Sequence, residues 1–149
     1  MSTGLSNSSE IKEAVKTIEK AGNKRIVLLH CISNYPPKDN EINLNNIDGL
    51  LKTYPYPVGF SDHTIGTLIS LAAIAKRACI IEKHFTLDKT MEGWDHKISA
   101  DEKDMKILTK ESKKIFSALG SYKRTQPEDK NTLELFRRSI VAAKNIKKG

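Results

Sequence analysis

RIVLLHCIS, residues 25 to 33, is a nearly unbroken apolar run, and it limits the possible folds more than any other stretch of the chain. A strand that is apolar on both faces belongs in a sheet covered on both sides, the parallel sheet of an α/β protein. The flanking sequence fits. Asn7 and Glu10 have the spacing of a capping box, and Ile11, Ala14, Val15, Ile18 and Ala21 recur at helical spacing until Gly22-Asn23. NYPP then ends the apolar run.

The order of helix and strand repeats. Leu44, Ile47, Leu50 and Leu51 mark a short helix, PVGFSDH a short strand, GTLISLAAIAKRA (66 to 78) a helix and CIIEKHF (79 to 85) a third strand. Ser99 with Glu102 is a cap signal for a helix running to about Leu119, with Met105, Leu108, Ile115, Phe116 and Leu119 on one side. Even spacing of such units predicts an α/β fold with parallel strands. Parallel strands end at one edge, so His30 and Ser33, Ser61 and His63, and Glu82 and His84 are expected to gather where α/β folds place active sites.

The two ends read differently. MSTGLSNSSE opens with a strand-end polar turn and no strand before it. SYKRTQPEDKN is a polar linker, and RRSIVAAKNIKKG carries a β-like run, Ser139 to Ala143, as the first strand of a further unit. The expectation is a fragment, an open part of a larger sheet. Its uncovered parallel edge invites a missing half or a second copy of the chain.

With 149 residues and 38% hydrophobic content, the chain suits one modest domain. It has no run of about 18 apolar residues and no secretory leader, so a cytoplasmic protein away from membranes is expected. Cys31 and Cys79 sit in apolar runs and read as buried free thiols. The net charge of +7 comes wholly from residues 110 to 149, with 11 basic and 4 acidic side chains, since residues 1 to 109 carry 14 of each. Phe116, Tyr122 and Phe136 do not alternate with those basic residues as a base-stacking groove requires, so nucleic acid is not the expected partner. A solvated tail, an anionic substrate or an acidic partner suits the charge better.

Four groups carry possible chemistry. His63 and His84 fall at the ends of two strands that, as neighbours about 4.8 Å apart, would let the imidazoles share a divalent ion; the other reading is hydrogen bonding within the loops. Glu82 lies two residues before His84 and shares its side of the strand, whereas Lys83 faces the helical layer and is expected to pair structurally. Asp95 and His96 follow Gly93 in a loop, fit to orient a sugar hydroxyl, shuttle a proton or cap the next helix. Ser61 has no G-x-S-x-G elbow around it, and its hydroxyl, like that of Ser2, suits holding a phosphate or carboxylate oxygen.

Taken in order, STG (2 to 4), LLHCISNYP (28 to 36), VGFSDHTIG (58 to 66), IIEKHFTLD (80 to 88), GWDHKIS (93 to 99) and RRSIVAAKNIKKG (137 to 149) resemble the sialic acid synthase (N-acetylneuraminate synthase) family. The resemblance covers essentially the whole chain, and SDHT and IEKHFTLD are its most specific parts. It implies condensation of phosphoenolpyruvate with an N-acylated amino sugar, usually N-acetylmannosamine, to a nine-carbon sialic acid with release of phosphate. A divalent ion, typically manganese, with magnesium or cobalt as substitutes, would be held by His63 and His84. Glu82 would contact the sugar and manage its proton. Asp95 would bind sugar hydroxyls, with His96 beside it, and Ser61 and Ser2 would hold phosphoenolpyruvate, with Ser33 and Asn34 lining the same pocket.

The resemblance implies a partial TIM (β/α)8 barrel, from the end of strand 5 through strand 8, over residues 1 to 120, followed by a linker and the start of an antifreeze-like domain over 121 to 149. Family lysines that neutralise phosphoenolpyruvate, and an arginine supplied by that further domain, have no counterpart among the matched residues. The isolated chain is therefore expected to be inactive without the rest of a barrel. Trp94 stands where the family commonly has proline, which bears on the choice of sugar: the same chemistry toward another nonulosonic acid, such as legionaminic acid, is the alternative.

Overall fold

The computed structural model describes residues 1–123 and 129–149. Its first helix, α1 (Ser8–Lys20), starts as the sequence predicts: the Asn7 side chain accepts from the backbone of Ser9 and Glu10, and the Glu10 carboxylate accepts from the Asn7 backbone at 2.8 Å. It ends in a Schellman turn, with Gly22 N–H on the Glu19 carbonyl and Asn23 N–H on that of Ile18. Gly22 has φ +82°, a value that favours glycine.

The chain then alternates as expected, through β1 (Leu28–Cys31), α2 (Asp39–Ile42), α3 (Asn45–Thr53), β2 (Val58–Asp62), α4 (Leu68–Ala75), β3 (Ile81–Lys83), α5 (Glu102–Leu119) and α6 (Lys130–Phe136). The strands form one parallel sheet in the order β1-β2-β3. One isolated parallel bridge extends each edge, Ser2 to Leu29 and Phe85 to Ala100. This is an α/β fold with helices on a parallel sheet that is not closed into an eight-stranded barrel, a partial TIM-like fold. The Ser2 bridge supplies the strand end anticipated at the start of the chain; the one at Ala100 is an addition.

Alternation along the strands separates two faces. Leu28 and His30, Val58, Phe60 and Asp62, and Ile81 and Lys83 face the helices, while Leu29 and Cys31, Gly59 and Ser61, and Glu82 face the other way. The core lies on the helix side, where Leu28, Val58, Phe60 and Ile47 are at most 2% exposed and Val15, Ile26, Ile42, Ala73 and Ala78 join them. Each large side chain there contributes about 1.5–3 kcal/mol of burial.

Several expectations need correction. His30 does not join the strand-end cluster: it lies on the helix face, stacks on Phe60 and bonds the Ile42 carbonyl at 2.7 Å. The cap of α5 is Asp101, which accepts from the Asp104 backbone, and not Ser99, which is buried and donates to the Asp95 carbonyl. Ala100 is still extended against Phe85, so the chain turns helical only after it. Both cysteines are free, but Cys79 is exposed. The apolar side of α5 is half covered: Leu108 is buried, Phe116 is 78% exposed, and a groove of about 780 Å³ separates it from Ile74, Cys79 and Ile81. Ser139 to Ala143 form no strand, and Ile140 and Val141 are exposed, with no strand beside them among the described residues. Of the polar linker, residues 124 to 128 lie outside the described residues.

Two outcomes follow for stability. Burial lowers the His30 pKa from 6.5, against a smaller opposing effect of the Ile42 carbonyl. Its contribution is complete above about pH 6.5 and is lost as pH falls below that value, because the unfolded chain then binds the proton more readily. Urea denaturation between pH 7 and 5 should show this slope, and His30→Gln, which keeps a donor for Ile42, should flatten it. At Gly59, an added Cβ would lie 2.6 Å from both the Ile80 carbonyl oxygen and Leu29 Cδ2. Gly59→Ala should therefore destabilise the chain by about 1–3 kcal/mol, read as a lower urea midpoint.

Candidate active site

The carboxyl edge of the sheet is built rung by rung. β2 and β3 pair with Ser61 opposite Glu82 and Asp62 opposite Lys83. On the open face Ser61 Oγ donates to Glu82 Oε1 at 2.8 Å. On the helix face Lys83 Nζ meets Asp62 Oδ2 at 3.1 Å, the structural pairing expected for this lysine. Glu82 itself is exposed on the open face, so its carboxylate is not the buried group its apolar neighbours suggest.

One residue beyond β2, His63 is 7% exposed, and its Nδ1 lies 2.8 Å from the Ile32 carbonyl oxygen. A carbonyl only accepts, so the proton is assigned to Nδ1 and the Nε2 lone pair is left available. The His84 ring stands 5.4 Å away, centroid to centroid. Tyr35 packs against both, stacked on His63 at 4.1 Å and edge-on to His84 at 5.7 Å. His84 Nδ1 is 3.7 Å from Asp95 Oδ2, which joins a loop carboxylate to the cluster.

The loop that carries Asp95 is tied at its base by Thr86 N–H on the Ala100 carbonyl and Ala100 N–H on that of His84. Within it His96 Nδ1 lies 2.8 Å from Thr86 Oγ1, and Lys89 pairs with Asp101 and Asp104 at the start of α5. The hydrogen bond to Asp104 raises the Lys89 pKa and keeps this clamp charged. Trp94, next to Asp95 in the chain, is 99% exposed.

The Ser61–Glu82 pair and the His63–His84–Asp95 group thus occupy consecutive positions at one strand edge. Ser33 lies at the neighbouring strand end, 3.9 Å from Cys31 Sγ and so close to Gly4 that a Cβ there would come within 2.3 Å of its Oγ. Ser2 is bridged to Leu29, two residues before the Cys31–Ser61 rung. Asn34 instead turns to Glu41 at 3.3 Å, and His96 to Thr86. Sequence reasoning missed Tyr35, treated only as part of a strand terminator, although an aromatic directly after a polar strand end was a usable signal.

Among the described residues no group of three or more His, Cys, Asp and Glu side chains is arranged to hold a metal ion. Two imidazoles with 5.4 Å between ring centres, one presenting a free Nε2, are donors suited to a divalent cation, and the Ile32 carbonyl and Asp95 occupy the orienting positions behind them. Among the described residues no helix is long and apolar enough to cross a membrane.

Comparison with known proteins bears on the same residues. An uncharacterized protein of Methanocaldococcus jannaschii is 47% identical over all of this chain and 44% of its own length. The N,N'-diacetyllegionaminic acid synthase of Campylobacter jejuni is 45% identical over all of this chain and 46% of its own. The crystal structure of an N-acetylneuraminic acid (sialic acid) synthetase from Leptospira borgpetersenii, in complex with citrate, superposes with a TM-score of 0.80 at 40% identity, over 90% of this chain and 46% of that one. The chain spans about half the length of these relatives. A model of the NeuB family matches residues 1–124, which include every residue of the strand-edge cluster, and the chain belongs to the NeuB family.

Proposed function

We propose that this chain provides the sugar-binding and cation-binding edge of a synthase that condenses phosphoenolpyruvate with an N-acylated amino sugar, giving a nonulosonic acid and phosphate. The observation that carries the reading is the juxtaposition of the Ser61–Glu82 hydrogen bond with the His63–His84 pair at one edge of parallel strands. His63 and His84 would hold a divalent cation, manganese in the first instance and magnesium or cobalt as substitutes, and the cation would polarise the sugar aldehyde as a Lewis acid.

The chain's own residues do the rest. The Ile32 carbonyl holds His63 in the tautomer that leaves Nε2 unprotonated, and Tyr35 restrains both rings. Glu82 uses Oε1 to accept from Ser61, leaving Oε2 to exchange a proton with the sugar oxygen as the new carbon–carbon bond forms. Carbon 3 of phosphoenolpyruvate attacks the aldehyde carbon, water adds at carbon 2, and phosphate leaves by carbon–oxygen cleavage. Ser61, Ser2 and Ser33 are the hydroxyls assigned to phosphoenolpyruvate. Asp95 is assigned to sugar hydroxyls, with Asn34 and His96 at the margin of the pocket. Residues 121–149 are assigned as the connector to a second domain, and the assembly as cytoplasmic, with a homo-oligomer as its form.

N-acetylmannosamine is the first acceptor to test. The acylated sugar leading to diacetyllegionaminic acid goes beside it, because the 45% identical relative makes that product and because Trp94 stands exposed beside Asp95.

The assay is phosphate release from phosphoenolpyruvate with manganese and each sugar, using the chain alone and the chain combined with the remaining part of a family synthase. Activity is expected only in the combination, and His63→Ala or His84→Ala should lower it by about 100-fold or more. Glu82→Gln should lower kcat by about 100-fold or more with a smaller change in the sugar KM. Full activity of the histidine variants, or release that does not depend on sugar, contradicts the reading.

A further inference from the structure

Asp62 and Lys83 form a buried charged pair beside the site, and the chemistry above gives it no task. Its side chains are 0% and 2% exposed. Asp62 accepts from Lys83 Nζ at 3.1 Å, from Ser70 Oγ at 2.5 Å and from the Thr64 backbone at 2.8 Å. Lys83 Nζ also donates to the Thr64 carbonyl at 2.5 Å, so both of these bonds tie it to β2 or the turn that follows it.

β3 needs such an anchor. It has three residues, and its apolar approach, Ile80-Ile81, gives no preference between two registers one residue apart, since an isoleucine fills the same place in either. A one-residue slip would turn Glu82 toward the helices and Lys83 onto the open face. It would also strip both buried charges of their partners, which is strongly unfavourable. The rung before the pair is Ser61–Glu82, and the residues after it are His63 and His84.

We propose that Asp62–Lys83 is a positioning element of the candidate site: from the helix side it locks β3 in register with β2, and so sets the spacing of Ser61–Glu82 and His63–His84 on the open side. The inference rests on the site reading given above, but its readout requires neither substrate nor turnover.

The test compares the 149-residue chain with the double variant Asp62→Asn/Lys83→Met, with Lys83→Arg and with Ser70→Ala. The melting temperature, the nuclear Overhauser contact between the His63 and His84 rings without metal, and the Mn2+ affinity from broadening of those ring signals are measured for each. The double variant is expected to fold but to lose the ring-to-ring contact and to bind Mn2+ about 10- to 100-fold more weakly. Lys83→Arg, which keeps the charge, is expected to stay within about threefold of the parent. A double variant that keeps the contact and the affinity overturns the proposal, whatever its melting temperature. If the double variant does not fold, Ser70→Ala decides: removing one bond to Asp62 should weaken the contact and the affinity by about threefold or more, and unchanged values overturn the proposal. A parent chain that shows the ring contact but no Mn2+ binding would count against the proposed function alone.

Discussion

The register between β2 and β3 is the constraint on which the rest of the molecule depends. Two adjacent rungs, Ser61 with Glu82 and Asp62 with Lys83, put opposite chemistry on opposite faces of the sheet. The helix-side rung is dry and ionic, and its charges are tolerated because Ser70, Thr64 and each other satisfy them. The open-side rung is reachable by solvent, and Ser61 bonds one oxygen of the Glu82 carboxylate, Oε1. The two histidines that follow inherit their separation from these rungs.

This two-faced construction explains how an α/β edge of so few residues can bring the candidate site's side chains together. Leu28, Val58, Phe60 and the helices above them give the strands a rigid back, and Gly59 keeps the front low enough for Leu29 and the Ile80 backbone to approach. Loops add what the strands lack. One brings Tyr35 over both imidazoles, and the other, closed at its base and clamped by Lys89, brings Asp95 to His84. The strands thus set the spacing of Ser61, His63, Glu82 and His84, while the loops bring Tyr35 and Asp95 against the two imidazoles.

Much of this was legible in the sequence. Periodicity located α1, β1, α3, β2, α4 and α5, and the two-residue period put Glu82 and Lys83 on opposite faces. Other features were not legible, for physical reasons. His30 has the same polar character as the site residues, but strand parity and the Ile42 carbonyl draw it to the back. Asp101 displaces Ser99 as a cap because Ala100 is committed to a bridge with Phe85, a tertiary contact that no local pattern reports. Ser139 to Ala143 have strand-forming composition, but among the described residues no strand lies beside them. The pairing of His84 with Asp95, and the place of Tyr35, depend on loop paths rather than on spacing.

The most direct test of the central claim, that His63 and His84 act as one cation site beside Glu82, is an anomalous difference map from crystals of the chain soaked in Mn2+. The account predicts a peak bonded to both imidazoles, with His63 contributing Nε2 while its Nδ1 keeps the Ile32 carbonyl. A peak elsewhere, or none at either ring at saturating Mn2+, would contradict it.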